Sequence, residues 1–263
     1  MTAKLFESNL DELNGAVLVA HGLNNKAKVM DALIAVLVDQ GFHCLRISLH
    51  EEATGSSSVS PERVGEDWID TMTNAYAELV ERYPGSPIYN LSYSLGALVS
   101  IRFLDINHGA EFESMVLIAP PAALTWTASL VRFLTPLARF GIALPSAAPV
   151  EVRARRGTPL VEYAAMLQML NQIQSLAEQE KLDQIQTLVV LDKNDELVSY
   201  EGVMDWLDQN NLTHWSPKQL VDRAPESRTY AHLMVIEKAL GRPAWETLTR
   251  DILAQFGVEA CPG

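Results

Sequence analysis

A serine hydroxyl is barely nucleophilic at neutral pH. It needs an imidazole to take its proton and a carboxylate to orient that imidazole. This chain offers all three groups, each just past an expected strand. In Leu91-Ser92-Tyr93-Ser94-Leu95-Gly96, Ser94 stands between small residues two before and two after it. A chain that reverses so tightly needs such residues, and the turn lifts the hydroxyl clear of the strand end. Asp192-Lys-Asn-Asp195-Glu196 follows the run 186–191. Of its three carboxylates, Asp195 best fits a loop position aimed back across the rim of a sheet. Asp192 reads as the turn former and Glu196 as a solvated neighbour. His232 follows the short run 227–230, where a base would stand. His43 lies in an apparent strand, and His108 and His214 lie in polar loops. His50, after the second strand, is the rival base.

That set does acyl transfer if two N–H groups hold the developing oxyanion. Leu95 supplies one, at the start of a helix. His21-Gly22-Leu23 supplies the other: the glycine permits a sharp turn, and the Leu23 N–H then faces the site. His21 reads as a hydrogen-bonding support for that loop rather than a proton carrier.

The elements that must position these groups follow from hydropathy. The continuous apolar run at 15–20 predicts a strand buried on both faces, and further strands are expected at 43–48, 87–91, 114–119 and 186–191, with a short sixth at 227–230. Between them lie helical patterns: Val29, Leu33, Val36 and Leu37 before Gly41; Val64, Trp68, Met72, Ala75, Tyr76, Leu79 and Val80 behind Pro61; and a closing helix from Trp245 to Phe256. The alternation predicts an α/β fold with a doubly wound, mostly parallel sheet. Any antiparallel strands before Gly15 must be few or brief. Residues 121–184 far exceed a minimal crossover and predict a helical cap inserted into a core of 1–120 and 185–263. Leu124, Trp126, Leu130, Phe133, Leu134, Leu137 and Phe140 would pack that cap and wall an acyl pocket. The basic cluster 152–157 reads as a solvated turn, or as a contact for an anionic group.

Composition narrows the classes. A net charge of −13 in 263 residues disfavours nucleic acid and anionic membrane partners. The N-terminal residues lack a signal-peptide pattern, and the window 122–144 is broken by Arg132, Pro136, Arg139 and Gly141, so a cytoplasmic protein without a membrane span is expected. Cys44 and Cys261 read as a buried thiol and a tail thiol. No His-x-x-x-His pair or Cys/His cluster stands at ligand spacing, so neither metal nor cofactor is expected.

Taken together, the strand ending in His21-Gly22, the Ser94 turn, the Asp195 loop and the His232 loop resemble the α/β-hydrolase superfamily. Within it they are most similar to the capped lipase and esterase branch, which includes monoacylglycerol-lipase-like and lysophospholipase-like proteins. The resemblance covers 15–256. It implies hydrolysis of a small-molecule ester, with an apolar acyl group, through an acyl-enzyme and without cofactor. A thioester or amide bond, or a non-catalytic binding module on the same scaffold, are the alternatives. Two features depart from the pattern. Ser92 replaces the usual first glycine of the turn. The family's Asp-x-Arg-Gly-x-Gly-x-Ser segment is reduced here to a loose Gly55-Ser56 echo.

Overall fold

The computed structural model describes residues 3–50, 59–221, 223 and 230–258. Its strands in chain order are β1 (Ala3–Phe6), β2 (Gly15–Ala20), β3 (Phe42–Ile47), β4 (Ile88–Tyr93), β5 (Ser114–Ile118), β6 (Ala143–Pro145), β7 (Gly157–Pro159), β8 (Gln186–Leu191) and β9 (Trp215–Gln219). The helices are α1 (Asp31–Asp39), α2 (Pro61–Arg82), α3 (Leu95–Ile106), α4 (Trp126–Ser129), α5 (Leu160–Gln172), α6 (Gln179–Gln184), α7 (Tyr200–Gln209), α8 (Glu237–Leu240) and α9 (Arg242–Gln255). Seven strands form one sheet in the order β1-β3-β2-β4-β5-β8-β9, while β6 and β7 pair separately. Only β1 runs antiparallel to its neighbour; the remaining pairs in the sheet are parallel. The sheet is thus the doubly wound, mostly parallel one that the alternation predicts.

The central strands are mostly apolar because both their faces are covered. Every residue of β2, β4 and β5 is buried. Helix α1 packs with α9, and α2 with α3. α2 begins where Pro61 predicts: the Ser60 hydroxyl accepts the Arg63 N–H, and Trp68, Met72, Ala75 and Leu79 form its buried face. Val80 instead points to solvent.

One strand falls elsewhere than expected. The parallel strand after β8 is β9, not 227–230; residues 227–229 lie outside the described residues, and Tyr230 is in a turn. β9 reads Trp-Ser-Pro-Lys-Gln with only Trp215 buried. A proline and a lysine suit an edge strand, which leaves no apolar run to notice. Cys261 and the Gly55-Ser56 echo also lie outside the described residues.

From Ala119 to Ile185 the chain leaves the sheet. This excursion carries α4, two 3₁₀ turns (Leu130–Phe133 and Thr135–Phe140), the β6–β7 ribbon, α5 and α6. Its apolar residues split in two. Leu124, Leu130 and Leu134 face a cavity beside Ser94, whereas Trp126, Phe133 and Phe140 are 76%, 73% and 61% exposed. Short 3₁₀ pieces present successive threes, so the strip does not bury as one helical face.

Candidate active site

Three loops at the carboxyl ends of parallel strands converge. β4 ends in Tyr93, and Ser94 then holds φ +52° and ψ −117° before α3 begins at Leu95. Asn24 after β2 and Ala119 after β5 also have positive φ. Backbone strain therefore gathers on the two strands flanking Ser94 as well as at Ser94 itself. Bonds on both sides hold the turn: Ser94 N–H donates to the Ile118 carbonyl at 2.9 Å, and Gly96 N–H to the His21 carbonyl at 3.1 Å. A Cβ on Gly96 would lie 2.8 Å from the Ala20 backbone, so this glycine is sterically required. Ser92 is accommodated because its hydroxyl bonds the Ser100 hydroxyl at 2.9 Å, and Ser100 donates in turn to the Gly96 carbonyl.

The Ser94 Oγ stands 2.8 Å from His232 Nε2, and His232 Nδ1 stands 2.8 Å from Asp195 Oδ2. The other Asp195 oxygen accepts the Leu197 and Val198 N–H groups at 2.8 and 3.0 Å, in a buried position. A carboxylate satisfied in this way holds the proton on Nδ1 and leaves Nε2 free to accept from the serine. Ser94, Asp195 and His232 are therefore brought together.

The loop carrying His232 is held by residues outside this trio. Arg223 reaches Asp192 at 2.8 Å, the Leu233 carbonyl at 3.0 Å, the Tyr230 carbonyl at 3.3 Å and the Ala231 carbonyl. Asp192 thus makes the turn expected of it, through the Asn194 N–H, and also anchors the guanidinium. Glu196 does more than a solvated neighbour would: its carboxylate accepts the His232 N–H at 3.0 Å. The Tyr93 hydroxyl donates to the His232 carbonyl at 3.0 Å. Burial, helped by Asp195 and Glu196, pushes that phenol well above its usual range and keeps it a neutral donor. Sequence reasoning missed Arg223 and Tyr93: Tyr93 lies 139 residues from the carbonyl it holds, and Arg223, though near the loop in sequence, shows its role only through Asp192, 31 residues upstream.

The remaining histidines have other employment. His21 is fully buried, lies 2.8 Å through Nδ1 from the Gly22 carbonyl, and accepts the Leu49 N–H at Nε2. Burial lowers its pKa to about 4, so it stays neutral. His50 does not serve as the base; its Nε2 accepts the Asn24 N–H at 2.6 Å. His43 stacks on Tyr83, His108 pairs with Glu178, and His214 pairs with Asp183. The basic cluster is not simply solvated either, since Arg155 turns inward to Glu162.

Leu23 lines the same cavity as Ser94 and His232, and Leu95 is the first residue of α3. The Leu95 N–H has no acceptor within its helix. The Leu23 N–H donates to no acceptor among the described residues. The cavity holds about 500 Å³, and apolar side chains such as Leu130, Val131, Leu134 and Met166 dominate its walls. Among the described residues, no group of three or more His, Cys, Asp or Glu side chains could hold a metal ion, and no helix is long and apolar enough to cross a membrane.

A mostly parallel sheet with a strained serine turn, a histidine loop and an acid loop at its carboxyl rim defines the α/β-hydrolase class. The chain belongs to the hydrolase family described as serine aminopeptidase, S33, whose model matches residues 11–233. No curated protein matches its sequence. Solved structures share the fold at low identity. A soluble variant of monoglyceride lipase from Saccharomyces cerevisiae, in complex with a substrate analog, is 12% identical with a TM-score of 0.71, over 97% of this chain and 90% of that one. Monoacylglycerol lipase from Paleococcus ferrophilus is 15% identical with a TM-score of 0.67, over 97% of each chain. A thermostable carboxyl esterase from Bacillus coagulans, bound to glycerol, is 14% identical with a TM-score of 0.65, over 97% and 94%.

Proposed function

We propose that this hydrolase cleaves carboxylic esters with an apolar acyl group through an acyl-enzyme on Ser94. The hydrogen-bonded chain Ser94–His232–Asp195, with 2.8 Å at each link, carries the reading. The ester lies in the cavity under a cap formed by 121–184, with its carbonyl oxygen between the N–H groups of Leu23 and Leu95. Ser94 Oγ attacks the carbonyl carbon while its proton passes to His232 Nε2. Asp195 steadies the imidazolium, which then protonates the departing alcohol as the C–O bond breaks. Water gives its proton to the same nitrogen, attacks the acyl carbon and releases the acid, and the proton returns to Ser94. None of these steps needs a cofactor.

The family description raises an aminopeptidase as the second reading. Such an enzyme needs a carboxylate to receive the substrate's ammonium. Glu196 lines the cavity, but its carboxylate already accepts the His232 N–H. The apolar walls favour the ester. The test is hydrolysis of p-nitrophenyl butyrate against an aminoacyl p-nitroanilide, together with labelling by a fluorophosphonate. The ester should be the better substrate. Ser94→Ala should lower kcat by about 10⁴-fold or more and abolish labelling. An unchanged rate in that variant would falsify the nucleophile.

A further inference from the structure

The peptide joining Gly22 to Leu23 is the one whose N–H would hold the oxyanion. Its carbonyl and its N–H point in opposite directions, because a peptide is planar and trans. The Gly22 carbonyl is held from behind by His21 Nδ1 at 2.8 Å and by the Asn25 N–H at 3.2 Å. The next peptide is held differently. The Asn24 N–H donates to His50 Nε2 at 2.6 Å, and Asn24 takes φ +54°. On its far side Asn24 is zipped to the excursion after β5. Its carbonyl accepts the Ala154 N–H at 2.7 Å, and its side-chain amide bonds both the N–H and the carbonyl of Arg155, at 3.0 and 3.2 Å. Lys26 N–H continues the zip to the Val152 carbonyl at 2.8 Å. Arg155 then closes a loop by pairing with Glu162 at 2.5 Å, and that carboxylate lies 3.8 Å from His50 Nδ1.

We propose that His50 is a positioning residue: by accepting the Asn24 N–H from within the Arg155–Glu162 clamp, it fixes the backbone on which the Leu23 N–H is aimed. The inference rests on the proposed acyl-enzyme mechanism at Ser94, with Leu23 as an oxyanion donor. His50 does not line the cavity and touches no reacting atom. It works through Leu23, whose rotation is limited by bonds on the peptides either side of its Cα. Burial, with His21 and Arg155 nearby, holds the His50 pKa well below its usual value, which keeps Nε2 an acceptor. The clamp also makes 152–155 a fixed abutment of the site rather than part of a swinging lid.

The experiment compares His50→Leu, which removes the acceptor, with His50→Gln, whose amide oxygen reaches the place of Nε2. His50→Asn, whose amide falls short of it, is the third variant. His50→Leu should lower kcat on p-nitrophenyl butyrate by roughly 10- to 100-fold and leave KM within about twofold. Binding of a boronic acid, which mimics the tetrahedral anion, should weaken by the same factor as kcat/KM. His50→Gln should recover most of the rate. If His50→Leu does not fold, His50→Asn carries the test, because it differs from Gln by one methylene and should show the loss. A folded Leu or Asn variant with unchanged kcat, or one that raises only KM, overturns the inference. Failure of the underlying reading looks different: wild-type protein would resist the fluorophosphonate, and Ser94→Ala would keep its activity.

Discussion

At Ser94 the main chain occupies a region that a serine rarely adopts, and two neighbours make this tolerable: Gly96, which has no room for a Cβ, and Ser92, whose hydroxyl finds Ser100. The two should respond differently to the same replacement. Ser92→Ala loses one buried hydrogen bond, costing about 1 kcal/mol, and should keep ester hydrolysis within a few-fold. Gly96→Ala drives a methyl into the Ala20 backbone and should cost about 3 kcal/mol, with loss of most activity as the turn shifts. Urea unfolding and initial rates on the same preparations check both. The Ser94 turn was legible because the chemistry needs its small residues adjacent in sequence. The roles of His21 and Gly22 were readable for the same reason. Those of His50, Arg155 and Glu162 were not, because each depends on a partner brought near only by the finished fold.

Among the elements, the loops after β8 and before α8 act as one unit through Arg223. Its guanidinium spans Asp192 on the acid side and three carbonyls around His232 on the other. Arg223→Ala leaves the Asp192 carboxylate, 3% exposed, without its cation, and should destabilise the protein by about 3–5 kcal/mol. It should also lower kcat. Adding Asp192→Asn to that variant should restore part of the stability but not the rate, because the His232 loop still lacks its donor. Thermal melts and kcat on the single and double variants separate the two effects. β2 was visible as an uninterrupted apolar run, the signature of a strand covered on both faces, and β4, β5 and β8 as short, mostly apolar runs between helical patterns. β9 was not, because an edge strand holds its place through backbone pairing to β8 rather than through side chains.

Across the whole molecule, buried neutral histidine links stability to acidity. Burial holds the His21 pKa at about 4 in the folded protein, against an ordinary value of 6.5. The unfolded chain therefore binds its proton first, and unfolding is favoured as pH falls. The stabilisation from keeping His21 neutral is complete above about pH 6.5 and is lost between there and pH 4, for a total of about 3 kcal/mol. His50, shifted the same way, adds to the loss. Urea midpoints measured from pH 7 to pH 4 should fall accordingly, and His21→Gln should flatten the curve. The sheet order carries a last consequence. Ser94 leaves a central strand, and its partners arrive from loops about 100 and 140 residues downstream, one after β8 and one beyond the edge strand β9. No local stretch of chain can build this cluster by itself: the three side chains meet only once the sheet has been laid down from β4 out to its edge at β9.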